Sequence, residues 1–222
     1  MATSLLETSD AYEELEIRSE IGLMAYHGGT LEKATDAIAR ETAELCGASY
    51  YGLIQTNDDP LHFPSTKLFD YGSENLNVFF QHVRVVITIH GYGREHLFHS
   101  VLLGGRNRAL ASHLASFLKM ALPDYSFEND LEQIPKELRG LHPKNPVNIP
   151  ALTGVQVELP PTLAKVILLL ANELFAIFVN VLSGPLIVLF VSVCVAVNVA
   201  IVSVLMLPPD ELIVKRSVPP PV

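Results

Sequence analysis

Residues 27–32, His-Gly-Gly-Thr-Leu-Glu, combine side chains that ligate metal ions with residues that turn the chain. An imidazole and a carboxylate, as in His27 and Glu32, are ligands that zinc accepts in proteins. The apolar run 21–26 before them is typical of a buried strand, and apolar residues at helical spacing follow. Thr30 is a candidate N-cap that would place Glu32 in the first helical turn. The same residues also fit a Gly-Gly turn with a surface histidine and a glutamate that favours the helix dipole.

A second histidine stands in the same setting. The apolar strand predicted at 83–89 ends in His90, which is again followed by glycine. If the two strands are neighbours in a sheet, their carboxyl ends bring His27, Glu32 and His90 to one point. Catalytic zinc binds three protein ligands of these types and keeps a fourth position for water.

Glu158 is the candidate general base for such a site. It lies near the end of a short strand predicted at 154–159. A carboxylate at the same edge of the sheet could accept the proton of an activated water. The alternative is an ordinary glutamate on an edge strand.

Further polar residues lie in segments that could form the rim of this site. Arg94 and Arg106 stand at a strand end and at a helix start, where a guanidinium can bind a carboxylate through two hydrogen bonds. His62 lies in a loop that could reach the rim, and Asn145 and Asn148 offer amide donors. A solvated surface explains these residues as well.

The remaining pattern predicts an α/β fold. We expect a helix from about residue 31 to 46, a strand at 49–54, a strand at 98–103 and a helix from 106 to about 122. Strands and helices that alternate in this way favour a sheet covered on both faces. Residues 123–150 show little periodicity and are expected to form long, functional loops.

Composition excludes several classes of protein. The 222 residues carry a formal net charge of −9, which argues against sequence-independent binding to nucleic acid. Two cysteines in very different surroundings predict neither a disulfide framework nor a cysteine metal site. The N-terminus lacks the pattern of a secretory signal peptide, so we expect a cytoplasmic location.

The apolar residues concentrate after residue 162. Residues 186–207 carry no charge and are long enough to cross a bilayer, although their alternating valines suit a strand. The preceding stretch contains Lys165 and Glu173 and is expected to be a buried helix. We therefore predict four parts, which are an N-terminal segment 1–19, a catalytic domain 20–183, a hydrophobic segment 185–207 as a membrane anchor, and a polar tail 208–222.

Six short motifs follow one another along residues 12–161. They are HGGTLE (27–32), LHFPST (61–66), IHG (89–91), GGRN (104–107), NPVN (145–148) and GVQVEL (154–159). In order and spacing they resemble the poly-γ-glutamate hydrolase family, known from bacteriophages and many bacteria. The resemblance implies a zinc hydrolase with a fold similar to zinc carboxypeptidases, in which a mixed sheet is flanked by helices.

The resemblance also implies roles for residues. His27, Glu32 and His90 match the family's zinc ligands, and Glu158 matches its catalytic glutamate. Arg94 or Arg106 would stabilise the oxyanion of the reaction. A γ-linked glutamate polymer, or a related acyl or peptidyl amino acid, would be the substrate, and it would contact His62, Asn107, Asn145 and Asn148. A polyanion requires a locally positive cleft in this acidic protein, and the candidate cations are Lys67, Arg94, Arg106, Arg108, Arg139 and Lys144.

The chain departs from the family after Glu158. Basic residues that the family has soon after Glu-Leu-Pro are replaced here by residues 161–164, Pro-Thr-Leu-Ala. Two alternatives therefore stay open beside the hydrolase. One is a zinc carboxypeptidase or deacylase with another substrate, and the other is an inactive, membrane-associated binding module on the same scaffold.

Overall fold

The computed structural model describes residues 10–163, which contain one mixed seven-stranded sheet. The strand order is β1-β3-β2-β4-β7-β5-β6. All neighbours are parallel except the pairs β1–β3 and β5–β7. The strands are β1 (Ala11–Glu16), β2 (Ile21–Gly29), β3 (Ser49–Gln55), β4 (Val85–Gly91), β5 (Ser100–Gly104), β6 (Ser126–Glu128) and β7 (Gly154–Leu159).

Helices cover both faces of the sheet. The helices α1 (Thr35–Cys46) and α3 (Arg108–Ala121) pack into one apolar cluster, to which α3 contributes Leu110 and Leu114. The helix α2 (Glu74–His82) packs into a second cluster through Leu76 and Phe79. The predicted fold class, α/β with a mixed sheet flanked by helices, is therefore confirmed.

The central strands are apolar because both of their faces are buried. Strand β4 pairs on one side with β2 and on the other with β7, all in parallel. A run such as Val85–Ile89 suits this position, since a parallel strand between two helical layers meets no water. The carboxyl ends of β2, β4 and β7 consequently share one edge of the sheet.

The start of α1 differs from the prediction. The helix begins at Thr35 rather than near Leu31, and Ala34, with φ 72°, is its N-cap. Thr30 is not the N-cap, because its hydroxyl donates to the backbone oxygens of Gln55 and Asn57. Glu32 therefore lies in a turn before the helix, where its backbone N–H donates to the carbonyl of His27.

Other elements were missed or displaced in the prediction. Strand β1 lies inside the predicted N-terminal segment 1–19 and pairs with β3 at the edge of the sheet. The pattern gave no sign of α2, and β5 begins at Ser100 rather than Phe98. Residues 123–150 contain β6 and two 3-10 turns, Lys136–Leu138 and Pro146–Asn148.

The predicted apolar segment 185–207 and the tail 208–222 lie outside the described residues, as does the catalytic domain's predicted end at 183. Within residues 10–163, no helix combines the length and the apolar composition needed to cross a membrane. The membrane anchor and the domain boundaries remain predictions.

Candidate active site

Strands β2 and β4 place the two predicted histidines side by side. The register pairs Met24 with Thr88, and β2 then has an irregularity between Ala25 and Gly28 before it ends. The imidazole centroids of His27 and His90 are 5.2 Å apart, and both side chains are buried. The expectation that neighbouring strands bring these residues together is met.

The glycines after His27 allow this strand end to lie against β3. Gly29 has a φ of +76°, and a Cβ there would lie 2.0 Å from the backbone oxygen of Gln55. A side chain at this position would therefore meet both backbone strain and a direct clash. The close approach lets the chain turn at once and return Glu32 to the strand ends.

Glu32 bridges the two histidines. Its Oε1 lies 2.9 Å from Nδ1 of His27, and its Oε2 lies 3.1 Å from Nδ1 of His90. The backbone N–H of Gly91 donates to Oε2 over 3.0 Å. Although burial opposes it, the adjacent imidazoles hold the pKa of the Glu32 carboxyl well below its ordinary value. Glu32 is therefore a carboxylate at neutral pH.

The hydrogen bonds of His27 fit a cation between its ring and Glu32. Nε2 lies 3.0 Å from the carbonyl oxygen of Phe63, so the ring proton resides on Nε2 and donates to that oxygen. A neutral His27 then turns the lone pair of Nδ1 toward the Glu32 carboxylate, and two acceptors repel each other. Burial lowers the pKa of His27, which disfavours a second ring proton. Nδ1 of His27 and the Glu32 carboxylate therefore fit as ligands of a divalent metal ion, and the carbonyl of Phe63 would orient the His27 ring.

His62 offers a competing third ligand. Ligand atoms of His27, Glu32 and His62 all lie within 4.8 Å of one another, so these residues also form a candidate metal set. His62 is exposed, whereas His90 is 4% exposed and already contacts Glu32. We favour His90, because a buried ligand is held in one orientation.

Glu158 stands beside this cluster on β7. It pairs in register with His90 and is only 3% exposed. Strand β7 lies between β4 and β5, so Glu158 is not the edge-strand glutamate of the alternative interpretation. Burial raises the pKa of its carboxyl to about 7, a value suited to proton transfer near neutral pH.

These side chains share one cavity of about 840 Å³. Its floor contains His27, Glu32, His90 and Glu158. Its rim carries three cationic side chains, Arg94, Lys136 and Arg139, against one carboxylate, Glu137. Among the rim residues that line the cavity, cations therefore outnumber carboxylates, which favours an anionic ligand in this acidic protein. Arg94 is paired with Glu137 at 2.8 Å, and His62 and Asn145 also line the cavity.

Several predicted site residues do not line this cavity. The side chain of Arg106 donates to the backbone oxygen of Leu141, and Asn107 caps α3 by accepting from the backbone N–H of Leu110. Asn148 donates to the backbone of Gly140 and His142. Of the other predicted cations, Lys67, Arg108 and Lys144 also lie outside the lining. The side chains of Arg106, Asn107, Arg108 and Asn148 are directed to backbone atoms, whereas Lys67 forms an ion pair with Asp70.

The sequence interpretation missed residues that surround the cluster. The ring of Tyr26 packs edge-on against His27 at 4.7 Å and against His90 at 4.5 Å. Gln156 donates to Glu158. The alternation of β7 could have indicated Gln156, since residues two apart in a strand face the same side.

Comparison with known proteins identifies the family of this chain. Residues 6–168 match the family described as poly-gamma-glutamate hydrolase. Two imidazoles and two carboxylates gathered at one edge of a mixed α/β sheet, together with this match, define the class of the protein as a hydrolase. The chain belongs to the poly-γ-glutamate hydrolase family.

Two solved structures share the fold. A structure of bacteriophage poly-gamma-glutamate hydrolase has a TM-score of 0.67 and 20% sequence identity, covering 88% of this chain and 90% of the phage chain. A structure described as YNDL in a zinc-free apo form has a TM-score of 0.60 and 24% identity, covering 71% of this chain and 75% of the other. No curated protein matches the chain.

Proposed function

We propose that this protein is a zinc-dependent amidohydrolase that cleaves γ-glutamyl linkages, with poly-γ-glutamate or a related acyl or peptidyl amino acid as the substrate. The observation that carries the proposal is the convergence of His27, Glu32 and His90 beside the buried carboxyl of Glu158. A similar structure is described as zinc-free, which supports zinc as the ion for this donor set.

His27, Glu32 and His90 would hold the ion, with His27 oriented by the carbonyl of Phe63. Zinc supplies a Lewis acid that polarises a carbonyl group and lowers the pKa of water toward ~7. Glu32 contributes one negative charge and both histidines are neutral as ligands. The ion with its three ligands would therefore carry one net positive charge, which would face the carboxylate of Glu158 across the cavity floor.

Glu158 moves the proton in this proposal. Its Oε1 accepts a hydrogen bond from Gln156, which leaves Oε2 for the attacking water. Glu158 takes a proton from this water as the oxygen bonds to the amide carbon. It then returns the proton to the nitrogen as the C–N bond breaks, so that a carboxylic acid and an amine leave.

The rim would bind the carboxylates of the substrate. Arg94 and Arg139 are the guanidinium groups at the rim, and each binds protein oxygens in the free protein. A substrate carboxylate can replace Glu137 as the partner of Arg94, because that pair is half exposed. Of the two arginines expected to stabilise the oxyanion, Arg106 does not line the cavity, and Arg94 lies at the rim, where we assign it to substrate binding.

Metal content and a Glu158→Gln variant test the proposal together. We expect about one zinc per chain after gentle purification, and less than about 0.2 would contradict the metal site. Glu158→Gln should keep zinc and lose turnover of γ-glutamyl polymer by about 10³-fold, because the amide cannot accept the proton. Retained turnover would remove Glu158 from the mechanism.

A substrate panel separates the alternatives. The full-length protein is assayed on γ-linked polymer, α-linked peptides and acylated amino acids. Cleavage of only the last two would identify a carboxypeptidase or deacylase on this scaffold. Binding of γ-linked polymer without turnover, with zinc present, would identify the inactive binding module.

A further inference from the structure

We propose that Gln156 is a positioning residue that fixes the Glu158 carboxylate in its working orientation, at the end of a chain of side-chain amides anchored on the backbone of Val147. The inference deepens the proposed function and rests on the role given there to Glu158. It reassigns Asn145, which was expected to bind substrate, to the support of the catalytic glutamate.

The hydrogen bond from Val147 to Asn145 determines the direction of the other hydrogen bonds in this series. The backbone N–H of Val147 can only donate, and it donates to Oδ1 of Asn145 over 3.0 Å. Nδ2 of Asn145 therefore points to the Gln156 amide and donates to its Oε1 over 2.9 Å. Nε2 of Gln156 is left facing Glu158, and it donates to Oε1 over 2.7 Å. Neither amide can flip without placing two donors or two acceptors together.

The side-chain amide of Gln156 uses both of its donor protons and its acceptor oxygen in this arrangement. Its second Nε2 proton is directed to the backbone oxygen of Leu138 over 3.2 Å. Asn145, Gln156 and Glu158 are 6%, 4% and 3% exposed, so water does not compete for these bonds. In a buried site each bond is stronger than in water, and breaking one leaves a costly unpaired group.

A fixed donor on one carboxylate oxygen has a consequence for catalysis. The donor holds Oε1 on the side of Gln156, so Oε2 faces the attacking water in a single orientation. A hydrogen bond to Oε1 also favours the ionised form over the neutral acid, which is the form a general base needs. Small displacements of a catalytic group lower turnover steeply, because reaction requires near-ideal alignment.

Gly140 offers an independent way to disturb the same contact. Its φ is +62°, and a Cβ there would lie 2.7 Å from Oε1 of Gln156. Gly140→Ala should displace the side-chain amide of Gln156 and leave the Gln156 residue itself unchanged. Gly72 is a matched control, because its φ is +67° and a Cβ there would have no neighbour within 4 Å. The two alanine variants share the backbone strain and differ in the contact.

The experiment compares Gln156→Leu, Gly140→Ala and Gly72→Ala in the full-length, zinc-loaded protein, with γ-linked glutamate polymer as the substrate. We expect the first two to lower kcat by about 10- to 100-fold while KM changes less than about threefold. Gly72→Ala should keep the wild-type kcat. Zinc stoichiometry and zinc affinity should be unchanged in all three, since no ligand of the ion is touched.

A double variant tests whether Gln156 acts through Glu158. Adding Gln156→Leu to Glu158→Gln should cause no further loss of turnover, because the group being positioned is already inert. A further loss equal to that of the single variant would overturn the proposal, as would wild-type kcat in Gly140→Ala. If Gln156→Leu does not fold, as judged by circular dichroism, Gly140→Ala against Gly72→Ala decides alone. An active Glu158→Gln would instead contradict the proposed function.

Discussion

The floor and the rim of the cavity are built in different ways. Floor residues His27, His90 and Glu158 lie near the ends of neighbouring parallel strands and are almost fully buried. Rim residues such as Arg94 and Glu137 lie in loops and are about half exposed. The floor is therefore preorganised for one geometry, whereas the rim can exchange partners. Floor residues suit bond cleavage, which requires alignment, and rim residues suit capture of a charged substrate.

The largest predicted effect lies at the proposed third metal ligand. His90→Ala should weaken zinc binding by at least about 100-fold. Removing even a hydrogen-bond partner of a metal ligand lowers the metal affinity about 10- to 100-fold, and removing a ligand itself costs more. His62→Ala should weaken it by less than about tenfold, since the exposed ring of His62 belongs to the rim. Competition with a zinc-chelating dye measures both affinities. The reverse order would identify His27, Glu32 and His62 as the ligand set.

A second prediction concerns the stability of the metal-free protein. Burial raises the pKa of Glu158 from 4.5 to about 7, so the folded protein keeps a proton that the unfolded chain loses above about pH 4.5. The stability that this proton gives is full below pH 4.5, and it is lost as the pH rises to about 7. Wild-type protein should therefore lose roughly 2–3 kcal/mol over this window relative to Glu158→Gln, whose amide does not titrate.

Urea unfolding at pH 4.5, 6 and 8 measures this difference, with zinc removed throughout. Titrations of groups that do not interact with Glu158 are common to both proteins and cancel in the comparison. His90 does not cancel, because the charge of Glu158 helps to raise the pKa of its imidazole, and it contributes to the measured difference. A constant difference in the free energy of unfolding would show that Glu158 titrates as an exposed glutamate does. The carboxyl would then belong with the solvated rim rather than with the floor.

The sequence predicted the floor better than the rim for a physical reason. A strand's side-chain alternation and the shared edge of parallel strands are periodic, so His27 and His90 could be placed from the pattern alone. Arg106, Asn107 and Asn148 were expected at the site, yet their side chains bind loop and helix backbone. The partners of Arg106 and Asn148 lie 35 and eight residues away along the chain, and no local pattern encodes them. The cap that Asn107 forms on the backbone N–H of Leu110 is local, but it competes with a role in substrate binding.

The same reasoning explains the errors in the elements themselves. Thr30 is a residue type that often caps helices, but its hydroxyl donates instead to the backbone oxygens of Gln55 and Asn57, at the end of β3 and in the loop that follows. Tertiary contacts thus outweighed local propensity at the start of α1. Helix α2 buries Leu76 and Phe79, but at nine residues it is too short for a strong helical period.

The smallest predicted effect lies at the rim and compares two arginines. Arg94→Ala should raise KM for an anionic γ-glutamyl substrate by about tenfold, the equivalent of 1.4 kcal/mol, with a smaller effect at high salt. Arg106→Ala is the matched control and should leave KM unchanged, because the Arg106 side chain binds the backbone carbonyl of Leu141 and is not itself part of the cavity lining. Equal effects of the two substitutions would mean that the substrate extends past the rim. A loss in kcat rather than KM for Arg94→Ala would instead move its guanidinium to the reacting carbonyl, since a contact made only in the transition state does not change binding of the substrate.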